Sequence, residues 1–132
     1  MISTKINSTK INSTKININN IQEFKTIIEN NPGLVIIKYG AEWCGPCKKI
    51  DPLVKDWFYK FNENTPTVQT ILVDVDTSFE LYSFMKNKKM VQGIPAIHCY
   101  EKGTKSHIPN DMVFGASPLE INKFFNRCFQ KL

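Results

Sequence analysis

The sequence predicts an α/β domain in which a central mixed five-stranded sheet carries helices on both faces. Short apolar runs that are typical of strands alternate with segments whose apolar residues recur at helical spacing. After the fourth apolar run the chain turns at Lys102-Gly103 into the fifth, as in a hairpin, so the sheet is expected to be mixed. With 132 residues and 42% hydrophobic content, the chain can form one modest core.

The first seventeen residues differ in composition from the rest of the chain. The unit Ser-Thr-Lys-Ile-Asn occurs three times, beginning at Ser3, Ser8 and Ser13, and the segment contains no aromatic or acidic residue. A five-residue unit is too short to form a solenoid. We therefore predict that residues 1–13 are a low-complexity, disordered extension and that residues 14–132 form the folded domain. The end of the last copy, at about 15–18, is the candidate first strand.

The next elements are a helix, a strand and a long helix. Asn19 or Asn20 is expected to cap the first helix, and the turn at 31–33 leads into a strand at 34–39. The long helix is expected to begin at about Cys44. Apolar residues at helical spacing predict which faces of the two helices are buried. They are Ile21, Phe24 and Ile28 in the first helix and Ile50, Leu53, Val54, Trp57, Phe58 and Phe61 in the second.

The second half of the chain repeats this alternation. Strands are predicted at 70–75, 96–100 and 112–114, and a helix is predicted at 78–87. Residues 117–120, Ser-Pro-Leu-Glu, form a capping box with proline at the first helical position, which predicts a last helix. The residues of this helix expected to face the sheet are Ile121, Phe124, Phe125, Cys128, Phe129 and Leu132.

Two cysteines stand at the predicted start of the long helix, in the stretch Trp43-Cys44-Gly45-Pro46-Cys47. The free N–H groups and the positive end of the helix dipole favour an anion there. This setting lowers the pKa of a cysteine thiol, which makes Cys44 a nucleophile and Cys47, one turn later, the resolving thiol. The spacing therefore predicts a dithiol that closes to a disulfide and reopens.

The stretch from Ala41 to Lys48 resembles the active-site segment of the thioredoxin family. Three further features match that family. Pro52 stands where the long helix of the family kinks, Gly93-Ile94-Pro95 matches the loop whose cis-proline faces the dithiol, and Gly115 matches the glycine after the last strand. The resemblance covers about residues 15–132.

This resemblance implies a thioredoxin fold and reduction of disulfides in protein substrates. It implies that a thioredoxin-reductase-like enzyme returns electrons to the dithiol and that no cofactor is bound apart from the redox-active disulfide Cys44–Cys47. We also expect a monomer. The residues implied to contact substrate are Trp43, Gly45, Pro46, Ile94, Pro95 and Gly115.

The sequence departs from the family at Lys38. Thioredoxins typically have a buried aspartate six residues before the first cysteine, with a lysine in the next strand and an aromatic residue nearby. Here Lys38 replaces the aspartate, Leu72 replaces the lysine and Gly40 replaces the aromatic residue. Two interpretations remain open. Either the long stem carries the amine to solvent, or the cation lies under the dithiol and modulates the thiol pKa.

Charge and hydropathy exclude several function classes. The formal net charge is +5, but Lys5, Lys10 and Lys15 in the repeat account for much of it, so we expect no nucleic-acid binding. No stretch is long and apolar enough to span a membrane, and the N-terminus lacks the apolar segment of a signal peptide. We therefore expect a cytoplasmic protein that does not bind membranes.

The remaining cysteines and histidines offer one alternative to a redox dithiol, a metal site. A structural zinc site would need two more ligands from His98, Cys99, His107 and Cys128, which are not spaced as a second knuckle, so no metal is expected. Cys99 and Cys128 are expected to be buried apolar residues. A binding module with little redox turnover is the alternative function. A disulfide-forming or isomerising enzyme is disfavoured by the Gly-Pro between the cysteines.

Overall fold

A mixed β-sheet lies at the centre of the computed structural model, which describes residues 13–15 and 17–132, with side chains from residue 17 onward. The strands in this part of the chain are β1 (Ser13–Lys15), β2 (Leu34–Gly40), β3 (Val68–Asp74), β4 (Ala96–Glu101) and β5 (Asp111–Phe114). Their order in the sheet is β1-β3-β2-β4-β5. β1, β3 and β2 are parallel, whereas β4 and β5 are antiparallel to their neighbours. The predicted mixed sheet is confirmed.

The first strand differs from its prediction. The body of the sheet is four-stranded, and only β1, three residues long, extends it beside β3 to the five strands that the sequence predicts. β1 ends at Lys15, whereas the prediction placed the strand at about 15–18. Ile18 instead lies buried beyond it, and its N–H donates to Ser78 Oγ at 2.8 Å. The predicted extension at 1–13 lies outside the described residues, apart from Ser13.

Helices cover both faces of the sheet, as predicted. α1 (Ile21–Glu29) and α3 (Phe79–Asn87) pack on one face, and α2 (Gly45–Asn64) and α4 (Pro118–Gln130) pack on the other. Each pair of helices encloses its own apolar cluster against the sheet. No helix in residues 17–132 is both long and apolar enough to cross a membrane.

The central strand β2 separates the two clusters. All its residues are buried, which is expected of a strand covered on both faces. Val35, Ile37 and Tyr39 belong to the cluster under α1 and α3, whereas Leu34 and Ile36 belong to the one under α2 and α4. Because side chains alternate along a strand, Lys38 projects toward α2 and α4.

The helix caps agree with the local sequence signals. Asn20 caps α1, since its Oδ1 accepts the Glu23 N–H at 2.9 Å. Ser117 caps α4 by accepting the Glu120 N–H at 3.3 Å. Ser78 is the N-cap of α3 rather than its first residue.

Some predicted boundaries and contacts are wrong. β3 begins at Val68 and ends at Asp74, earlier than the predicted 70–75, because its pairing with β2 starts opposite Leu34. Phe129 and Leu132 are 40% and 48% exposed, since the buried side of α4 ends at Cys128. The apolar residues of α4 keep their helical spacing beyond Cys128, but the sheet no longer covers them there.

Candidate active site at the start of helix α2

The two cysteines occupy the N-terminus of α2, as the sequence predicts. Cys44 is the N-cap residue, and Cys44 and Cys47 form a disulfide with their Cα atoms 5.2 Å apart. The Sγ of Cys44 accepts the backbone N–H of Cys47 at 3.1 Å. After reduction, this N–H and the helix dipole favour a thiolate at Cys44.

An exposed rim surrounds the sulfur atoms, although both cysteines are themselves buried. Trp43 is 69% exposed, and Gly45 and Pro46 are also exposed. The indole Nε1–H of Trp43 donates to Asp76 Oδ2 at 2.7 Å. This bond holds the aromatic ring beside the dithiol, a role for Asp76 that the sequence analysis missed.

The loop before β4 lies against the same cysteine. The Ile94–Pro95 peptide bond is cis, which confirms the prediction for Pro95. The backbone oxygen of Ile94 lies 3.9 Å from Cys44 Sγ. The Gly115 N–H donates to the Pro95 oxygen at 2.9 Å, with a positive φ of 85° at Gly115 that disfavours a side chain there. The fold thus brings Cys44, Ile94, Pro95 and Gly115 together.

Lys38 lies on the inner side of the dithiol. It is 5% exposed, and its amine forms an ion pair with Asp51 of α2. The amine therefore does not extend to solvent, and the interpretation in which Lys38 reaches water is wrong. Leu72 is the direct neighbour of Lys38 in β3, which agrees with its assignment to the position of the family's lysine in the next strand.

Asp51 is the second residue of this site that the sequence analysis missed. A signal was present, because Asp51 follows Cys47 by four positions, so both side chains point from the same face of α2. Its pairing with Lys38 joins residues thirteen positions apart in sequence. Only the packing of α2 on β2 brings the two charges together.

Of the other candidate ligands, His98, Cys99 and Cys128 lie in the core, whereas His107 is partly exposed. Cys99 and Cys128 are fully buried, as predicted, and a hydrogen bond with Cys99 together with burial raises the pKa of the Cys128 thiol. Burial lowers the pKa of His98 to about 4. Within the described part of the chain, no three His, Cys, Asp or Glu residues are grouped as metal ligands.

Comparison with known sequences identifies the family. The family model for thioredoxin matches residues 15–126. The chain belongs to the thioredoxin family. It is 28% identical to a thioredoxin from Coprinus comatus over 110 residues, 83% of this chain and 93% of the relative. It is 32% identical to thioredoxin 1 from Plasmodium falciparum over 106 residues, 80% of this chain and 88% of the relative.

Solved structures show the same fold. A thioredoxin from Trypanosoma brucei brucei superposes with a TM-score of 0.68 at 24% identity, covering 92% of this chain and 95% of the other. A Plasmodium falciparum thioredoxin gives a TM-score of 0.62 at 30% identity and covers 86% and 98%. The thioredoxin-family assignment and the Cys44–Cys47 disulfide make this chain a thiol-disulfide oxidoreductase that reduces protein disulfides. The family uses no cofactor beyond this disulfide and depends on protein substrates and a reductase partner.

Proposed function

We propose that Cys44 is the attacking cysteine and Cys47 the resolving cysteine. The Cys44 thiolate attacks one sulfur of a substrate disulfide, and the other substrate sulfur leaves as a thiolate and takes up a proton. The Cys47 thiolate then attacks Cys44 Sγ, which closes the Cys44–Cys47 bond and releases the second substrate thiol. Two electrons pass from the dithiol to the substrate.

The different surroundings of the two sulfurs support this order. Cys44 is the N-cap residue, receives the Cys47 N–H, and lies beside the exposed Trp43 and the Ile94 carbonyl. Cys47, unlike Cys44, lines the cavity that Lys38 also lines. A substrate disulfide approaching from the rim therefore meets Cys44 first.

The proposed substrate groove follows the loop around the cis-proline. Substrate backbone would lie along Ile94, Pro95 and Gly115, where Ile94 is half-buried and Gly115 exposed. Trp43 and Pro46 would form the apolar rim of the groove, and Gly45 would leave room for the approaching chain. The Gly115 N–H is already bonded to Pro95, which links the two sides of the groove.

Because the dithiol is oxidised each time it reduces a substrate disulfide, it needs an external electron donor. A thioredoxin-reductase-like enzyme would regenerate the dithiol from outside the chain. We place the protein in the cytoplasm, where thiols are kept reduced. We also propose that it acts as a monomer, because one chain supplies both sulfurs and the whole groove.

The test compares the wild type with the Cys44→Ser/Cys47→Ser double variant in reducing a disulfide-bonded model protein, with a small dithiol supplying electrons. We expect turnover by the wild type and only background turnover by the double variant. Lys38 at the family's aspartate position favours a second candidate, a binding module with little turnover. Equal rates for the two proteins would support that candidate and overturn the proposed roles of Cys44 and Cys47.

A further inference from the structure

A buried lysine lies beside the resolving cysteine. Lys38 Nζ lies 3.4 Å, and Cys47 Sγ lies 3.5 Å, from the point where a Cβ atom at position 40 would stand. Gly40 has no such atom, so the amine and the sulfur face the same small space. Their separation cannot exceed the sum of these two distances.

The same space opens into a cavity of about 230 Å³. Its charged lining residues come from β2, β3, α2 and the segment between β2 and α2. They are Lys38, Glu42, Lys48, Asp51, Lys55 and Asp74. Glu42, Lys48 and Lys55 are exposed, and Asp51 and Asp74 are partly exposed, so water screens these five charges. Lys38 is the buried cation of this set and acts on Cys47 with the least screening.

Asp51 adds a second influence on the sulfur. Its carboxylate pairs with the Lys38 amine, while 37% of its side chain remains exposed. A carboxylate bound to an ammonium group weakens the positive potential that this group exerts on a third group. The effect of Lys38 on Cys47 therefore depends on whether Asp51 is present.

We infer that Lys38 and Asp51 are positioning residues that together tune the resolving thiol. The Lys38 cation stabilises the Cys47 thiolate, and Asp51 limits that stabilisation by neutralising part of the same cation. This inference rests on the proposed role of Cys47. Neither residue gives or takes a proton or an electron, and the exchange steps are those of the proposed function.

The two residues are therefore expected to have opposite effects. Lys38→Met removes the cation and leaves a carboxylate near the sulfur, so thiolate formation at Cys47 shifts to higher pH, by about one unit or tenfold. Asp51→Asn leaves the cation without a counter-charge, so thiolate formation shifts to lower pH. A residue that only stabilises the fold would not produce shifts of opposite sign.

The reduction potential of the Cys44–Cys47 pair should change when the Cys47 thiolate is stabilised or destabilised, and the size of the change should depend on pH. Stabilising the thiolate favours the reduced form and makes the potential less negative. Above the titration of Cys47, Lys38→Met should lower the equilibrium constant for reduction about tenfold, which is about 30 mV more negative for a two-electron couple. Asp51→Asn should make the potential less negative. Well below that titration the thiol is protonated in every variant, and the potentials should converge.

The experiment measures this potential against a small-molecule dithiol between about pH 6 and pH 10, together with thiolate absorbance in Cys44→Ser backgrounds, where Cys47 is the one thiol left of the pair. Cys99 and Cys128 are present in every variant, so only differences between variants are compared. Lys49→Met and Asp56→Asn are matched controls, because both residues are exposed on α2 and neither lines the cavity. Opposite shifts for Lys38→Met and Asp51→Asn, with unchanged controls, support the inference. Shifts of the same sign, or shifts no larger than those of the controls, overturn it.

The outcome is separable from that of the proposed function. If the wild type reduces protein disulfides but the potentials of Lys38→Met and Asp51→Asn do not shift in opposite directions, only the tuning role is wrong. If the wild type reduces no disulfide, the proposed function fails, whatever the titrations show. Should Lys38→Met not fold, Asp51→Asn alone decides. This variant is expected to fold, because the Asp51 side chain is 37% exposed and asparagine has a similar shape. A less negative potential then supports the inference, and any other result overturns it.

Discussion

Replacing His98 by glutamine is expected to make the protein more resistant to acid. The His98 ring lies fully buried in β4 between Tyr39 and Tyr100, with ring centroids 5.1 and 6.2 Å away. Its Nε2–H donates to the Met90 oxygen, 2.9 Å away, whereas Nδ1 has no partner among the described residues. A second proton would therefore lie on a buried nitrogen without an acceptor.

The magnitude follows from the two protonation equilibria. Burial lowers the His98 pKa from 6.5 to about 4 in the folded protein. As pH falls through this range, the unfolded chain takes up the proton first, so the free energy of unfolding decreases by up to about 1.4 kcal/mol per pH unit. The full loss, reached near pH 4, is about 3 kcal/mol. Glutamine does not titrate and has an N–H donor for Met90, so His98→Gln should cost about 1 kcal/mol at neutral pH.

The assay is urea unfolding of the wild type and His98→Gln at several pH values between 7 and 4. Contributions of the carboxylates cancel in the difference between the two proteins. We expect the two stability curves to cross, with the wild type more stable at pH 7 and His98→Gln more stable at pH 4. A difference that is the same at every pH would refute the argument.

Three further predictions concern the packing and the N-terminus. Phe125→Ala removes a fully buried ring and should lower the free energy of unfolding by about 3–5 kcal/mol in urea unfolding, whereas Phe79→Ala, at a residue 67% exposed, should change it by less than about 0.5 kcal/mol. Similar values for both would contradict the assignment of the core. Ser78→Ala leaves the buried Ile18 N–H without its acceptor and should cost about 1–3 kcal/mol, with faster hydrogen exchange at that amide as the measurement. Unchanged exchange would show that the bond is absent in solution. Deleting residues 1–12 should shift the melting temperature by no more than about 2 °C, because the two copies of the unit that this removes are too polar for burial to offset their ordering entropy, and a larger drop would contradict this.

Much of this site could be predicted because its signals are local. The position of the dithiol follows from two cysteines and a proline at the start of an apolar helix pattern, which the structure places at Cys44 and Cys47. The cis-proline at Pro95 follows from a resemblance in sequence rather than from physical reasoning. The buried faces of the helices follow from residue spacing, apart from the C-terminal end of α4.

The remainder depends on contacts between distant segments. Nothing in the sequence around Lys38 names Asp51 as its partner, because the pairing requires the packing of α2 against β2. The bond from Trp43 to Asp76 crosses thirty-three positions and depends on the turn after β3. The exposure of Phe129 depends on where the sheet ends, which residue spacing does not encode.

The central claim is that Cys44 attacks substrate and Cys47 resolves the mixed disulfide, and trapping tests it most directly. Each single variant, Cys44→Ser and Cys47→Ser, is incubated in reduced form with a disulfide-bonded model protein and analysed without reductant. We predict that Cys47→Ser accumulates a covalent complex through Cys44 that a small dithiol releases, and that Cys44→Ser accumulates none. A complex formed by Cys44→Ser and absent from Cys47→Ser would contradict the account.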